Sequence, residues 1–221
     1  RKINWLTIIT LLFSAVLLIE QLGFVSSNQV LVGGGFLVAN EFIIGIKLIL
    51  VLSSALVLIL GLKSQVEDKM LDYEFSQLIL LSTLGMMLLV GSGDLIMLYL
   101  AIELLSLSFY VLASIKRHSQ HSTEAGLKYF LLGALSSGLL LFGMALVYAF
   151  TGATSFVAIS EFLWYSSSST EILIGVTFII IALLFKLAAA PFHMWAPDVY
   201  EGSPTIVTAF FAIVPKIGTL G

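Results

Sequence analysis

Lys47, Lys128, Lys186, Lys216 and Glu103 each fall inside an apolar stretch of helical length, and they are the residues best placed to do chemistry. At bilayer depth a charged side chain costs roughly 2.5–3.5 kcal/mol on insertion scales, so such a set points to a task. The chemistry it supports is proton carriage. Desolvation weakens a lysine's hold on its proton and a neighbouring carboxylate strengthens it, so a pair under both influences can switch.

Glu103 shares a helical stripe with Tyr99, Ser106 and Tyr110, at offsets of −4, +3 and +7 along an otherwise apolar segment. The stripe must face protein or water. It reads either as half of a carboxylate–lysine pair or as a hydrogen-bonding pin between two helices. Lys186 stands five residues before Pro191, which has no N–H for the Leu187 carbonyl and so breaks the helix there; Pro197 repeats the effect at His193. Broken helices at membrane depth are buried in protein or line wet cavities, and in transporters they mark the ion site. The alternative for Lys186 is a side chain that snorkels past a helix end. Pro215 and Lys216 repeat the combination of a proline kink and an intramembrane lysine. One geometric expectation follows: the Glu103 carboxylate lies within about 4–7 Å of the Lys186 ammonium, directly or through one water, with Lys216 farther away.

Lys128, four residues into its span, reads equally as a snorkelling cation or a relay, and His193 as a relay or an anchor for the broken segment. Lys47 has no polar residue on its face. His118 and His121 share a loop with Lys116 and Arg117 and have no evident third ligand for a metal. Gly126, Gly133, Ala134, Ser137 and Gly138 set small residues along one helix, which permits close helix contact.

These residues need membrane helices to position them. The sequence is 59% hydrophobic and only 10% charged, against roughly 25% charged in a soluble domain, which excludes a soluble fold. Cysteine is absent, which removes disulfides, thiolate metal sites and cysteine-ligated clusters. The net charge of −3 says little, because the charges are segregated by depth. Seven stretches, 3–24, 42–62, 75–91, 94–115, 125–150, 172–190 and 205–221, reach or approach the ~20 apolar residues of a spanning helix. Arg1, Lys2, Lys63, Lys69, Lys116 and Arg117 then share one side, and the opposite loops 25–41, 92–93 and 151–171 carry no Lys or Arg, so the basic side is the cytoplasm or matrix. Gly33, Gly34 and Gly35 between β-prone runs predict a small hairpin rather than a phosphate cradle, and Ser166 to Thr170 a polar linker. No cleavable signal peptide is expected at 3–24. Arg1 in place of methionine, and an apolar run that reaches Gly221, give the expectation of a fragment, a split gene product or the ordered part of a longer protein.

The run from Leu183 to Pro204, LLFKLAAAPFHMWAPDVYEGSP, closely resembles the signature of the antiporter-like subunits of respiratory complex I. Tyr99 to Leu107 (YLAIELLSL) and Glu124 to Gly133 (EAGLKYFLLG) resemble the subunit 2 branch of NADH dehydrogenase, subunit N in bacteria, of the kind encoded in plant and protist mitochondria. The resemblance runs from near Val32 to the end. It implies an all-α polytopic membrane helix bundle containing the first half of an inverted-repeat antiporter-like fold, with a broken helix near Pro191. Residues 1–62 would be peripheral spans with a small hairpin loop between them, and 75–221 the first antiporter-like repeat. Position by position, the resemblance gives proton-carrying roles to Glu103, Lys128, Lys186 and Lys216; His193 lies in the broken-helix motif. The family's first helix and its second repeat, with a further intramembrane lysine, are not in this sequence, and the latter is expected in the same complex, on a separate chain or as a continuation of this one.

The implied function is a non-redox, proton-translocating subunit of NADH:ubiquinone oxidoreductase, driven by quinone reduction elsewhere in the complex. The implied location is the mitochondrial inner membrane, or alternatively a bacterial plasma membrane. No cofactor is expected in this chain; NADH, FMN, iron–sulfur clusters and ubiquinone would belong to other subunits. The implied partners are other complex I membrane subunits, neighbouring antiporter-like ones included, and the lipid bilayer, with no nucleic acid. Two readings compete: a subunit of a multi-subunit sodium/proton antiporter, and a structural scaffold in which losing Lys186 disturbs assembly and pumping equally.

Overall fold

The computed structural model describes residues 2–25, 30–67, 72–165 and 170–221, with backbone alone at 2, 63–67 and 72. The expectations for Arg1, Lys69, the side chains of Lys2 and Lys63, and 166–169 of the polar linker lie outside the described residues. Five long helices carry the bundle: α1 (Lys2–Phe24), α2 (Glu41–Glu67), α3 (Asp72–Val90), α4 (Leu95–Ala113) and α5 (Gln120–Thr151). Each is long and apolar enough to cross a membrane, because a helix satisfies its backbone polar groups internally where lipid offers no partner. Short polar residues set the boundaries. Asp94 accepts from the Ile96 N–H at 2.7 Å ahead of α4, and the Ser119 hydroxyl accepts from the Ser122 N–H at 3.3 Å ahead of α5. Gly152, left-handed at φ 69°, ends α5.

The glycine hairpin forms as expected. Strands β1 (Val30–Val32) and β2 (Leu37–Ala39) pair antiparallel, with Leu31 opposite Val38. Gly33, Gly34 and Gly35 turn the chain at φ 65°, 75° and 98°, values that glycine adopts without a Cβ penalty. The Val38 N–H donates to the Gly91 carbonyl at 2.7 Å and Leu37 bridges to Ser92, so the hairpin is stitched onto the turn between α3 and α4, which Asp94 bridges in turn to Ser155. The stretch 151–171, expected as loop, contains a further helix, α6 (Phe156–Tyr165). Ten residues rise only ~15 Å, too little to cross a membrane, and a criterion of span length passes over them.

The break falls where Pro191 predicts it. Helix α7 (Thr170–Lys186) stops at Lys186, and the chain resumes as α8 (Trp195–Gly202) before α9 (Thr205–Leu220). The 17 residues of α7 rise roughly 26 Å, short of the ~30 Å hydrocarbon core, and α8 continues toward the side that carries Lys116 and Arg117. Pro197 does not break a second helix: it lies in the first turn of α8, where an absent N–H leaves no carbonyl unserved. Pro215 lies inside α9, which runs through it to Leu220 rather than breaking.

Helix α5 packs along α7 and α4, and α2 packs against α1, α3 and α9. The α5–α7 crossing depends on Gly143 and Gly175: a Cβ on the first would stand 2.6 Å from the Gly175 carbonyl oxygen, and one on the second 2.8 Å from that of Gly143. The small residues singled out in the sequence serve α4 instead, with Gly126 against Ser114 and Gly133 against Tyr110, whereas Gly138 faces open space. On the basic side Arg117 pairs with Glu74 at 2.7 Å, tying the α4–α5 turn to α3.

Candidate functional site

Lys186, the last residue of α7, points into the bundle and is only 9% exposed. Its ammonium donates to the Ser106 hydroxyl at 2.7 Å and to the Tyr110 phenol at 3.4 Å, and stands 5.7 Å from the centre of the Tyr110 ring. Ser106 donates onward to the Ile102 carbonyl at 2.5 Å. The hydrogen bonds therefore run from lysine to serine to backbone, the direction a charged ammonium requires. The polar stripe on α4 thus meets the helix break, as the spacing of Ser106 and Tyr110 allows.

The break itself is held by aromatic residues. Ending α7 leaves carbonyls without intrahelical partners, and that of Phe185, next to Lys186, receives both the Ala188 N–H at 3.1 Å and the Trp195 indole N–H at 2.9 Å. Ala188 turns the chain at a left-handed φ of 54°. The Trp195 ring stacks on Tyr129 with centroids 4.5 Å apart, and Tyr129 meets Tyr110 edge-on at 5.1 Å. Gly133 completes this bracket, because a Cβ there would overlap the Tyr110 phenol. One connected set of side chains from α4, α5 and α8 therefore fixes where the lysine ends.

Glu103 lies one turn from Ser106 on the same face of α4. Its Oε1 is buried and has no hydrogen-bond partner among the described residues. No salt bridge within 4.0 Å joins it to Lys186; the described ion pairs are Arg117–Glu74, Lys128–Glu124 and Lys128–Asp198. Short of such a contact, Ser106 is the lysine's nearest hydrogen-bonded partner. A buried carboxylate oxygen without a partner costs about 1–3 kcal/mol or more, so its position is not explained by stability.

The other candidates lie elsewhere. Lys128 bridges Glu124 and Asp198, each at 2.8 Å, across α5 and α8. These three side chains line a polar cleft of about 410 Å³ with Lys116, His121 and Glu201. With side chains 43% and 54% exposed, the Lys128–Asp198 pair is screened by water and adds little to stability. Lys216 is half-buried on α9 and has no hydrogen bond to Glu103 or Lys186. His193 is exposed on this chain, between α7 and α8, and makes no side-chain hydrogen bond among the described residues. Tyr99 lies outside the cluster, lining a 330 Å³ apolar groove with Leu141, Met144 and Tyr148. Lys47 is half-buried in the space that Gly91 leaves open at the hairpin end of the bundle. Among the described residues, no three His, Asp or Glu side chains converge to hold a metal ion. Sequence reasoning missed Trp195 and Asp198. A tryptophan next to a helix break needs an acceptor for its N–H, and that need was the available signal.

A buried lysine at a helix break, facing a polar stripe on its neighbour, places the chain among polytopic membrane bundles built on a broken helix. The family model described as NADH:quinone oxidoreductase/Mrp antiporter, TM, matches residues 92–221, and the chain belongs to that family. It is similar to NADH-ubiquinone oxidoreductase chain 2 of Marchantia polymorpha, 45% identical over 226 residues that cover 100% of this chain and 46% of that one. It is 47% identical over 205 residues to NADH-quinone oxidoreductase subunit N of Rhodospirillum rubrum, covering 92% of this chain and 42% of that protein. Among solved structures, a chain of respiratory complex I from Thermus thermophilus with bound aureothin matches with a TM-score of 0.81 and 30% identity, over 99% of this chain and 46% of that one. The chain spans less than half the length of these relatives.

Proposed function

We propose that this chain is part of a proton-translocating, non-redox membrane subunit of NADH:quinone oxidoreductase. The observation that carries the reading is the Lys186 ammonium, buried at a helix break and bonded to Ser106 and Tyr110 on the helix that holds an unpartnered Glu103 oxygen. Glu103 and Lys186 exchange protons across this gap; Lys216 on α9 and Lys128 at the polar cleft extend the route, with His193 beside the break. Residues 1–62 flank the route and 75–221 contain it. Quinone chemistry elsewhere in the complex drives the transfer, and NADH, FMN, iron–sulfur clusters and quinone are held by other subunits. The bundle sits in a mitochondrial inner membrane or a bacterial plasma membrane, with its basic loops toward the matrix or cytoplasm. Similarity to proteins named as NADH oxidoreductase chains supports this reading over the sodium/proton antiporter.

Affinity purification of the tagged protein from its native membrane tests the assignment. Flavin and iron–sulfur subunits are expected in the same complex, with NADH-dependent quinone reduction. A complex that lacks them and exchanges sodium for protons would transfer the chain to the antiporter branch.

A further inference from the structure

The ammonium of Lys186 does not rest on a carboxylate. It rests on a hydroxyl, 2.7 Å away, that is itself spent on the Ile102 carbonyl. That partner differs from Glu103 in one respect: it serves both protonation states of the lysine. With the ammonium, Ser106 accepts from Nζ and donates to the carbonyl. With the neutral amine, whose lone pair needs a donor, the same hydroxyl turns its hydrogen toward Nζ, and the Ile102 carbonyl keeps the intrahelical N–H of Ser106. A carboxylate only accepts: it can take an N–H from either form but offers nothing to the lone pair of the neutral amine.

We propose that Ser106 is a positioning residue for proton transfer: it holds the Lys186 side chain beside Glu103 in both protonation states, and hydroxyl rotation re-pairs it when the proton leaves. The proton passes from Lys186 Nζ to the Glu103 carboxylate while the serine changes only the direction of its hydrogen bond, so no covalent bond to the serine oxygen is made or broken. Tyr110 assists from 3.4 Å, fixed by Gly133 and Tyr129. This assignment rests on the proton-translocating reading of the same site.

The test compares Ser106→Ala and Ser106→Thr with Lys186→Ala and the parent in the assembled complex, in sealed native-membrane vesicles, by proton uptake per quinone reduced across a range of pH. Ser106→Ala is expected to lower that ratio by about tenfold, the weight of one hydrogen bond to a charged group, and to displace its pH profile. Ser106→Thr, which keeps the hydroxyl, is expected to restore both. A purely structural serine would change the quantity of assembled complex and leave the ratio and its pH profile alone. Parental values in Ser106→Ala, alongside a defective Lys186→Ala, would overturn the proposal and leave the broader reading standing. Parental values in Lys186→Ala would overturn both. If Ser106→Ala fails to assemble, Ser106→Cys against Ser106→Thr decides, since the thiol is a weak donor and acceptor of similar size; equal ratios and pH profiles in those two would also overturn it.

Discussion

Lys186→Ala is expected to cut proton pumping per quinone reduced by roughly tenfold or more, the scale of a lost acid–base group, while most of the complex still assembles. The asymmetry follows from the hydrogen bonds. Removing the lysine leaves Ser106 with its Ile102 carbonyl and the Phe185 carbonyl with Trp195, and takes from the Tyr110 phenol only a long, 3.4 Å donor. What is lost structurally is the packing of the lysine stem, about 1–3 kcal/mol, spread over a bundle that α5, α7 and α4 hold by other contacts. Pumping is read from a pH-sensitive dye in vesicles and assembly from native electrophoresis of the same membranes.

Glu103→Gln is expected to reduce pumping on a similar scale, on the order of tenfold, with no loss of assembly. The amide has the shape of the carboxylate but neither its charge nor its proton. Because Oε1 makes no hydrogen bond among the described residues, the substitution orphans no hydrogen-bond partner, so thermal stability of the complex stays level. Differential scanning of the purified complex, together with vesicle pumping, separates the two effects. A fall in melting temperature in step with the fall in pumping would instead mark Glu103 as a structural pin.

The parts of the fold legible in the sequence are those set by local chemistry. Pro191 had to end a helix at Lys186, and three glycines between β-prone runs had to turn a hairpin, because each depends on the conformations open to a few residues. The polar stripe on α4 was legible for the same reason, since helical periodicity alone puts Ser106 and Tyr110 on the face of Glu103. The choice among those residues was not. Whether Lys186 meets a carboxylate or a hydroxyl one turn away depends on how far α7 runs before it breaks, and on how deeply Gly143 and Gly175 let it settle against α5, which periodicity does not encode. Trp195 was passed over because its role exists only after the break exposes the Phe185 carbonyl. Asp198 drew no notice because its partner, Lys128, is distant in sequence and reaches it across α5 and α8.

Lys186→Arg tests the central claim most directly. Arginine keeps the positive charge, fills the site and can bond Ser106, but it does not release its proton under any condition the complex meets. If the buried cation is a proton carrier, assembled Lys186→Arg complexes will reduce quinone with proton pumping as depressed as in Lys186→Ala. Pumping at the parental ratio in Lys186→Arg, with Lys186→Ala defective, would show that a fixed charge suffices and would contradict proton transfer through Lys186.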